Sequence, residues 1–480
     1  MEKFAVLLPL LFYLLLMLGI AWYVSKRGNK HNFMEDYFIG GRSLGGFVLA
    51  MTLIATFVSA SSFIGGPGVA YSTGLSWVLL SMIQVPTAFL TLGVLGKKFA
   101  IIARRIQAVT VTDFLYARYR SKAVVLLASV SLLVFFIAMM MAQFIGGGVL
   151  FQNITGYSYV TGLLLFGLVV LLYTTVGGFK AVAITDTIQA MVMVAATITI
   201  LVAVINKGGG LPELMENISA ANPAMVDPEA TPKPQILSYW ILVGLGLLGL
   251  PQTSVRCMSF KNTKSLHNSM IIGTVVVGFL MLGMHLAGFL SSAVLEGTPA
   301  TSDNVIPMVV LQELPPFWAG IFLAGPLAAV MSTVSSLLIL ASAAIIKDLL
   351  GRFSPKEREA KQLRRISLLS TGIIGLIAFV FAIEPPDLIV WINLFAMGGL
   401  EAAFFWPTVL GLFWKRANKE GVLASMIGGV GSYLLLGLFE VSILGINNVV
   451  FGLLTSLLCF LIGTFLGKRP DAETTELFFG

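Results

Sequence analysis

Long apolar stretches separated by short charged loops run from one end of the chain to the other. A membrane-spanning α-helix needs about 20 consecutive apolar residues, and the pattern indicates an all-α integral membrane protein with about 13 transmembrane helices. The predicted helices cover residues 4 to 24, 44 to 71, 75 to 96, 123 to 151, 158 to 176, 181 to 205, 236 to 255, 268 to 295, 315 to 346, 366 to 383, 388 to 414, 421 to 439 and 444 to 467.

Composition supports a membrane protein and argues against several other classes. Hydrophobic residues make up 57% of the 480 positions and charged residues 11%, whereas a soluble domain carries about 25% charged residues. The sequence contains no Gly-rich phosphate loop and no His, Cys and carboxylate spacing typical of a transition-metal site. We therefore expect neither an enzyme nor an ATP-driven pump.

The basic residues predict how the helices are oriented. With thirteen helices and the N-terminus outside, all of the 30 Lys and Arg residues fall in cytoplasmic segments except Lys3, Lys207 and Lys233. Cytoplasmic loops of membrane proteins are enriched in Lys and Arg. The net charge of +7 is thus interpreted as a signal of topology, with the C-terminus in the cytoplasm, rather than of nucleic-acid binding.

Two apolar helices contain residues that disfavour a continuous helix, and they lie five helices apart. Transporters built from inverted repeats bind their solutes and ions at such paired breaks. The alternative is that the small residues only allow close helix packing. The residues concerned are Ser59, Ser61, Ser62, Gly65, Gly66, Pro67 and Gly68 in the second helix, and Gly244, Gly246, Gly249, Pro251 and Gln252 in the seventh.

Three further polar features lie within predicted helices. Ala329, Ser332 and Thr333 are spaced to share one face of the ninth helix, where the hydroxyls either contribute to an ion site or bond carbonyls of their own helix. Glu401 lies in the middle of the eleventh helix and His285 in the eighth. Ionisable groups within a membrane are costly and commonly functional, so Glu401 either binds substrate, takes a proton or holds a structural hydrogen-bond network. His285 either joins such a polar network or is a core residue with its hydrogen bonds satisfied.

Several motifs resemble those of the sodium/solute symporter family over essentially the whole chain. They are DYFIGGRSLG at 36–45, YTTVGGF at 173–179 and the segment 411–428 with Arg416 and Gly421. Within the family, carriers of pantothenate show the greatest similarity, through SASSFIGGPG at 59–68, QFIGG at 143–147, MHLAG at 284–288 and GGLEA at 398–402.

The resemblance implies a LeuT-type fold in which helices 2–6 and 7–11 form two inverted repeats, with one helix before and two after them. It divides the chain into an N-terminal helix and cytoplasmic loop (1–43), a first repeat (44–205), an extracytoplasmic loop (206–235), a second repeat (236–414), and two C-terminal helices with a short tail (415–480). We expect a multi-pass protein of a bacterial cell membrane.

The resemblance also implies a sodium-coupled symporter, with sodium as the co-transported ion and a small organic anion, pantothenate, as the substrate. Proline, a monocarboxylate or a sugar stays open as the solute, and a transporter-like sensor is a further alternative. The residues implied in sodium binding are Ala55, Val58, Ala329, Ser332 and Thr333, with Asp186 on the inner exit path. For substrate binding we predict Ser59, Ser61, Ser62, Phe63, Gly65, Gly66, Gln84 and Gln252.

Overall fold

The structure is a computed structural model that describes residues 2–27, 42–354, 359–441 and 443–480. These residues form helices joined by short loops, and within them only two isolated β-bridges occur. The predicted all-α fold is confirmed. Residues 36–41 of the motif before the second helix lie outside the described residues.

We number the apolar helices in chain order. They are α1 (Lys3–Val24), α2 (Gly46–Phe57 and Ser61–Thr73), α3 (Leu75–Arg105), α4 (Lys122–Thr155), α5 (Tyr159–Thr175), α6 (Ala181–Lys207), α7 (Lys233–Gly249 and Pro251–Ser259), α8 (Thr263–Ala293), α9 (Pro316–Phe353), α10 (Arg365–Phe381), α11 (Ile389–Phe413), α12 (Lys419–Leu438) and α13 (Asn448–Leu466).

Nine of these helices, within the described residues, are long and apolar enough to cross a membrane, or up to 11 if α2 and α7 each count as one bent span. The two shorter apolar helices, α5 and α10, correspond to the remaining predicted spans. Every predicted segment therefore coincides with an apolar helix, while the number of spans stays a prediction.

The helices α5 and α6 are joined without a loop, because helical structure continues from Tyr159 to Lys207. A straight helix would separate Tyr173 from Ala196 by about 35 Å. The two residues nevertheless pack on nearby parts of α9: the Tyr173 hydroxyl donates to the Met331 carbonyl, and Ala196 lies against Gly325. The chain therefore turns back between them, as two separate spans require.

Burial distinguishes the centre of the bundle from its periphery. In α9 and α11, 94% and 83% of the most apolar window is buried, compared with 33% in α1, α12 and α13. The two central helices therefore pack against protein on nearly all sides, and the three outer helices offer much of their surface to lipid. The predicted ninth and eleventh helices carry Ser332, Thr333 and Glu401 into this centre.

Four shorter helices lie outside the apolar spans: Val111–Tyr119, Leu211–Ala221, Val305–Glu313 and Ala472–Phe479. The first begins with a reciprocal cap in which the Thr110 side chain and Asp113 satisfy each other's backbone N–H groups. We predicted helix three to end near residue 96, but it continues to Arg105 as an amphipathic segment with Arg104 and Arg105 in its last turn. Apolarity alone missed this extension because its charged face interrupts the apolar run.

Candidate functional site

Both predicted helix breaks are present. In α2 the first half ends at Phe57, Val58 is extended (φ −85°, ψ 123°), and the two halves meet at an angle of 67°. In α7 the helix ends at Val243, a 3₁₀ segment covers Leu245–Gly249, and the second half is bent by 45°. The second half of α7 begins with Pro251, where a missing N–H leaves no hydrogen bond unmade. In α2, Pro67 lies inside the second half, just after the π-helical turn Ser61–Gly65.

At the α2 break, side-chain oxygens accept hydrogen bonds from two backbone N–H groups that would donate to backbone carbonyls in a continuous helix. The N–H of Ser59 points to Ser62 Oγ at 3.4 Å, and the N–H of Ala60 donates to Gln143 Oε1 at 2.8 Å. In a continuous helix these groups would donate to the carbonyls of Ala55 and Thr56. The break therefore releases carbonyl oxygens at the place where we predicted sodium ligands.

One of the two predicted hydroxyls of α9, that of Thr333, reaches the α2 break. Thr333 Oγ1 lies 3.2 Å from the carbonyl oxygen of Val58 and 3.0 Å from that of Ala329. Ser332 Oγ donates to the same Ala329 carbonyl at 3.1 Å. Together with Ala55, these residues are buried. Four of the five predicted sodium ligands are thus joined directly, and each contributes an oxygen of the kind that hard cations prefer.

Asp186 lies one helical turn below this cluster. The Thr52 hydroxyl donates to Asp186 Oδ2 at 2.6 Å, and Thr52 precedes Ala55 by three residues in α2. Asp186 is fully buried, so it is not a surface carboxylate at the cytoplasmic end of the bundle. The positive charge that faces it is Arg256, whose guanidinium also donates to Ser336 Oγ at 2.7 Å.

A cavity with an empty volume of about 780 Å³, including its open mouth, lies beside the two breaks. No Asp, Glu, Lys or Arg side chain is among the described residues that line it. An anion bound here would be held by hydroxyl, amide and backbone N–H groups. Of the predicted substrate residues, those that line the cavity are Ser59, Ser61, Ser62, Gly66, Gln84 and Gln252.

Two predicted substrate residues are not among the residues that line the cavity. Phe63 is fully buried and lies against α9 near Gly325. Gly65 packs against the backbone of Val390, 3.0 Å from where its Cβ would be. Because the π-helical turn over Ser61–Gly65 directs successive residues around the helix, only part of the motif faces the cavity.

Other residues of the cavity wall had no predicted role. Trp77 and Tyr239 line it, with ring centroids 5.9 Å apart in an edge-to-face arrangement. Asn393 on α11 also lines it, and its Oδ1 is buried without a hydrogen-bond partner within the described residues. Aromatic residues are common in apolar helices, so the positions of Trp77 and Tyr239 gave no signal. The amide of Asn393 within an apolar helix was a signal, because such a group needs hydrogen-bond partners there.

His285 lines the cavity as well, and its hydrogen bonding fixes what it offers. Its Nδ1 lies 2.7 Å from the Met281 carbonyl, which can only accept, so Nδ1 carries the proton. In the neutral ring Nε2 is then an acceptor. A Cβ at Gly66 would collide with Nε2, which places this acceptor at the α2 break, where it suits a hydroxyl or amide N–H of a solute.

An ionic cluster ties the short helix Val111–Tyr119 to the end of α9. Asp113 accepts from Lys347 Nζ at 2.8 Å and from Arg352 at 2.7 Å. Burial alone would raise the pKa of Asp113, but these cations and the N–H of Val109 outweigh it and hold that pKa below its usual value. The cluster fixes the end of the helix that carries Ser332 and Thr333.

A second carboxylate lies at the other end of the bundle, in the loop after α8. Asp303 Oδ2 accepts from the N–H of Ile389, the first residue of α11, at 3.2 Å. Burial raises the pKa of Asp303 to about 6. The neighbouring Ser302 backbone packs against Gly68 of the second half of α2, so this loop joins the broken helix to α11.

Paired helix breaks around a central cavity, with oxygen ligands gathered at one of them, define a secondary transporter. The sodium:solute symporter family model matches residues 37–429. The chain belongs to the sodium:solute symporter family. This confirms the predicted family, identifies a transporter rather than an enzyme, and makes sodium the co-transported ion.

Known proteins resemble the chain over its full length. The sodium/pantothenate symporter of Escherichia coli K12 is 48% identical over 474 residues, and that of Haemophilus influenzae is 46% identical over 477 residues, each with 98% of both chains covered. The solved structure of a substrate-bound, outward-open Na⁺-coupled sialic acid symporter matches 98% of both chains with a TM-score of 0.82 and 21% identity. That structure confirms the predicted LeuT-type fold.

Proposed function

We propose that the protein imports pantothenate together with sodium across a bacterial cell membrane by alternating access. Two relatives named sodium/pantothenate symporters share almost half of their residues with this chain from end to end. The cavity beside the helix breaks suits such a solute, since pantothenate carries one carboxylate, an amide and two hydroxyls. Proline offers fewer hydrogen-bonding groups than pantothenate, and a neutral sugar lacks the carboxylate.

The contact between Thr333 and the Val58 carbonyl is the observation that carries the coupling. It joins α9 to the α2 break, so a sodium ion held by the oxygens of both helices would favour the state in which they are close together. A ligand shifts a conformational equilibrium only through its different affinity for the two states. Loss of the ion allows α9 to move away from α2 and opens the path past Asp186.

The substrate would lie with its carboxylate towards the N-terminal end of the second half of α2. Backbone N–H groups at a helix N-terminus favour a negative charge, and Ser61 begins that half-helix. The hydroxyls of Ser61 and Ser62 are in the same turn. His285 Nε2 would then accept from a hydroxyl or the amide N–H, while Gln84 and Gln252 offer both donors and acceptors.

Uptake of labelled pantothenate into proteoliposomes tests this function. We expect accumulation against a gradient only when sodium is higher outside, with no competition by excess proline, lactate or glucose. The double variant Ser332→Ala with Thr333→Ala should lose sodium-dependent accumulation. The variant Ser342→Ala is the matched control, because Ser342 is equally buried in α9 but its hydroxyl contacts Ser367 instead. Uphill transport of another solute, without uptake of pantothenate, would refute pantothenate as the substrate.

The orientation, with the N-terminus outside and the C-terminus in the cytoplasm, is part of the proposal. Cys257 is buried and Cys459 half-buried; both can be replaced by alanine to give a background for labelling. Glu384 and Glu476 are exposed in segments that we place on opposite sides. An impermeant thiol reagent should label Glu384→Cys in intact cells and Glu476→Cys only after permeabilisation, and the reverse result would refute the orientation.

A further inference from the structure

The strongest unexplained feature of the molecule is Glu401. It lies at the middle of α11, is completely buried, and neither of its carboxylate oxygens has a hydrogen-bond partner within the described residues. A charge at this depth of a membrane protein is costly unless something compensates it. A proton or a bound cation can provide that compensation.

The carboxylate points at the second helix break. A Cβ at Gly246 would collide with Glu401 Oε2 and lie 2.8 Å from Oε1, so the carboxylate occupies the space that a side chain would take on the 3₁₀ segment of α7. One turn further along α11, Phe405 packs in the same way on Gly249, whose Cβ would be 2.8 Å from the Phe405 Cα. Glu401 is therefore held against this segment.

The backbone of this segment departs from α-helical geometry at both ends. Gly244 has φ −120° and ψ −83°, and Leu250 is extended. Where a helix is interrupted in a transporter, carbonyl oxygens leave the regular ladder and are available to a cation. The α2 break has the same property and is completed by hydroxyls from α9, while the α7 break is faced by a carboxylate.

The charged groups of the surrounding helices do not provide the compensation. The titratable side chain that faces Glu401 is Tyr433 of α12, and its hydroxyl donates to the Phe395 carbonyl instead. In α4, α12 and α13, which pack on α11, the Asp, Glu, Lys and Arg residues are Lys122, Lys419 and Glu420, all at helix ends. In α7, which also packs on α11, Lys233 is the first residue, Arg256 faces Asp186 and Tyr239 faces Tyr433. The short helix Val111–Tyr119 contacts the far end of α11, where Arg118 donates to the Gly411 carbonyl and Asp113 pairs with Lys347 and Arg352.

We propose that Glu401 and the 3₁₀ segment Leu245–Gly249 form a second cation site, which carries one sodium ion or one proton in each transport cycle. The site adjoins the cavity, because Leu247 and Met397 line the cavity beside Gly246 and one turn before Glu401. The inference rests on the proposed function, because a second cation changes the net charge that crosses the membrane with each pantothenate.

Charge movement in the unmodified protein tests the proposal. One sodium with one pantothenate anion carries no net charge, whereas a second cation makes each cycle carry one positive charge. A potential of 100 mV, negative inside, should then raise the equilibrium accumulation of pantothenate about fifty-fold. Accumulation that is independent of the potential would overturn the second site, and absence of any sodium-driven uptake would overturn the proposed function with it.

Gradients of each ion distinguish the two cations. If both cations are sodium, a tenfold sodium gradient should contribute about 100-fold accumulation at equal pH. If the second is a proton, the sodium gradient should contribute about tenfold and a gradient of one pH unit another tenfold. Either result supports the site.

The variant Glu401→Gln has nearly the same shape but cannot hold a charge or release a proton. It should accumulate pantothenate independently of the potential, with the sodium dependence of a single ion. Glu384→Gln, which removes an exposed carboxylate, should behave as the unmodified protein. The site is refuted if accumulation by Glu401→Gln depends on the potential and on the ion gradients as it does in the unmodified protein. If the variant does not fold, the measurement on the unmodified protein decides.

Discussion

Replacing Thr333 by alanine tests the sodium site through a single hydroxyl. That oxygen lies within hydrogen-bond distance of the carbonyls of Val58 and Ala329, so its removal takes away one sodium ligand. The interaction of a polar group with a charge contributes about 1.5–3 kcal/mol. If the sodium-bound state loses that contribution, the sodium concentration for half-maximal uptake should rise by about 10- to 150-fold.

Two assays measure this effect on Thr333→Ala. The first is the initial rate of pantothenate uptake as a function of sodium at saturating substrate. The second is the thermal stability of the purified protein as a function of sodium, because an ion that binds only the folded state raises the melting temperature with its concentration. Thr333→Ser keeps the oxygen and removes only a methyl group, so it should stay within about threefold of the unmodified protein in both assays.

The reasoning would be refuted if Thr333→Ala and Thr333→Ser showed the same sodium dependence as the unmodified protein. That result would mean that the hydroxyl only bonds carbonyls within and beside its own helix. The sodium ion would then have to bind elsewhere, and the likeness between the α2 break and a cation site would be structural only.

Three further predictions concern separate parts of the molecule. Gly66→Ala should abolish uptake while the protein still folds, because the new methyl group would collide with His285 Nε2; a binding assay with labelled pantothenate checks this. Asp303→Asn should raise the melting temperature at pH 7.5, by the equivalent of about 1–3 kcal/mol, and the gain should vanish by pH 4; burial raises the pKa of Asp303 to about 6, so its unfavourable ionisation develops as the pH rises towards and above that value. Asp113→Asn should lower the melting temperature at pH 7 by the equivalent of about 1–3 kcal/mol, with a smaller difference in acid, because the lowered pKa of Asp113 means that its pairing with Lys347 and Arg352 is lost as the pH falls through that pKa.

Much of the architecture could be predicted from the sequence, because lipid imposes simple rules. A spanning helix must be apolar over its whole length, so the apolar runs gave every helix from α1 to α13 with small errors at the ends. The break in α7 was predictable because Pro251 cannot continue a helix without the loss of a hydrogen bond. The break in α2 lies at Val58, before the Ser, Gly and Pro residues that indicated it.

The sites were only partly predictable. Spacing placed Ala329, Ser332 and Thr333 on one face, and the structure brings them to Val58. Spacing could not show that Gln143, 83 residues away, accepts from the N–H of Ala60. Contacts of this kind depend on how helices pack, and no local pattern records them.

Glu401 shows a different limit of the sequence. Its position in an apolar helix marked it as costly and therefore interesting, but the residue that faces it is a glycine of another helix, Gly246. Glycine carries no chemical signal of its own. The pairing of a carboxylate with a helix break became visible only when α7 and α11 were placed side by side.

The most direct test of the whole account is the uptake of labelled pantothenate by the purified protein in sealed proteoliposomes, with and without an inward sodium gradient. The account predicts accumulation above the outside concentration only with the gradient, and its loss in Ser332→Ala with Thr333→Ala but not in Ser342→Ala. Equal uptake with and without sodium, or loss in none of these variants, would contradict it.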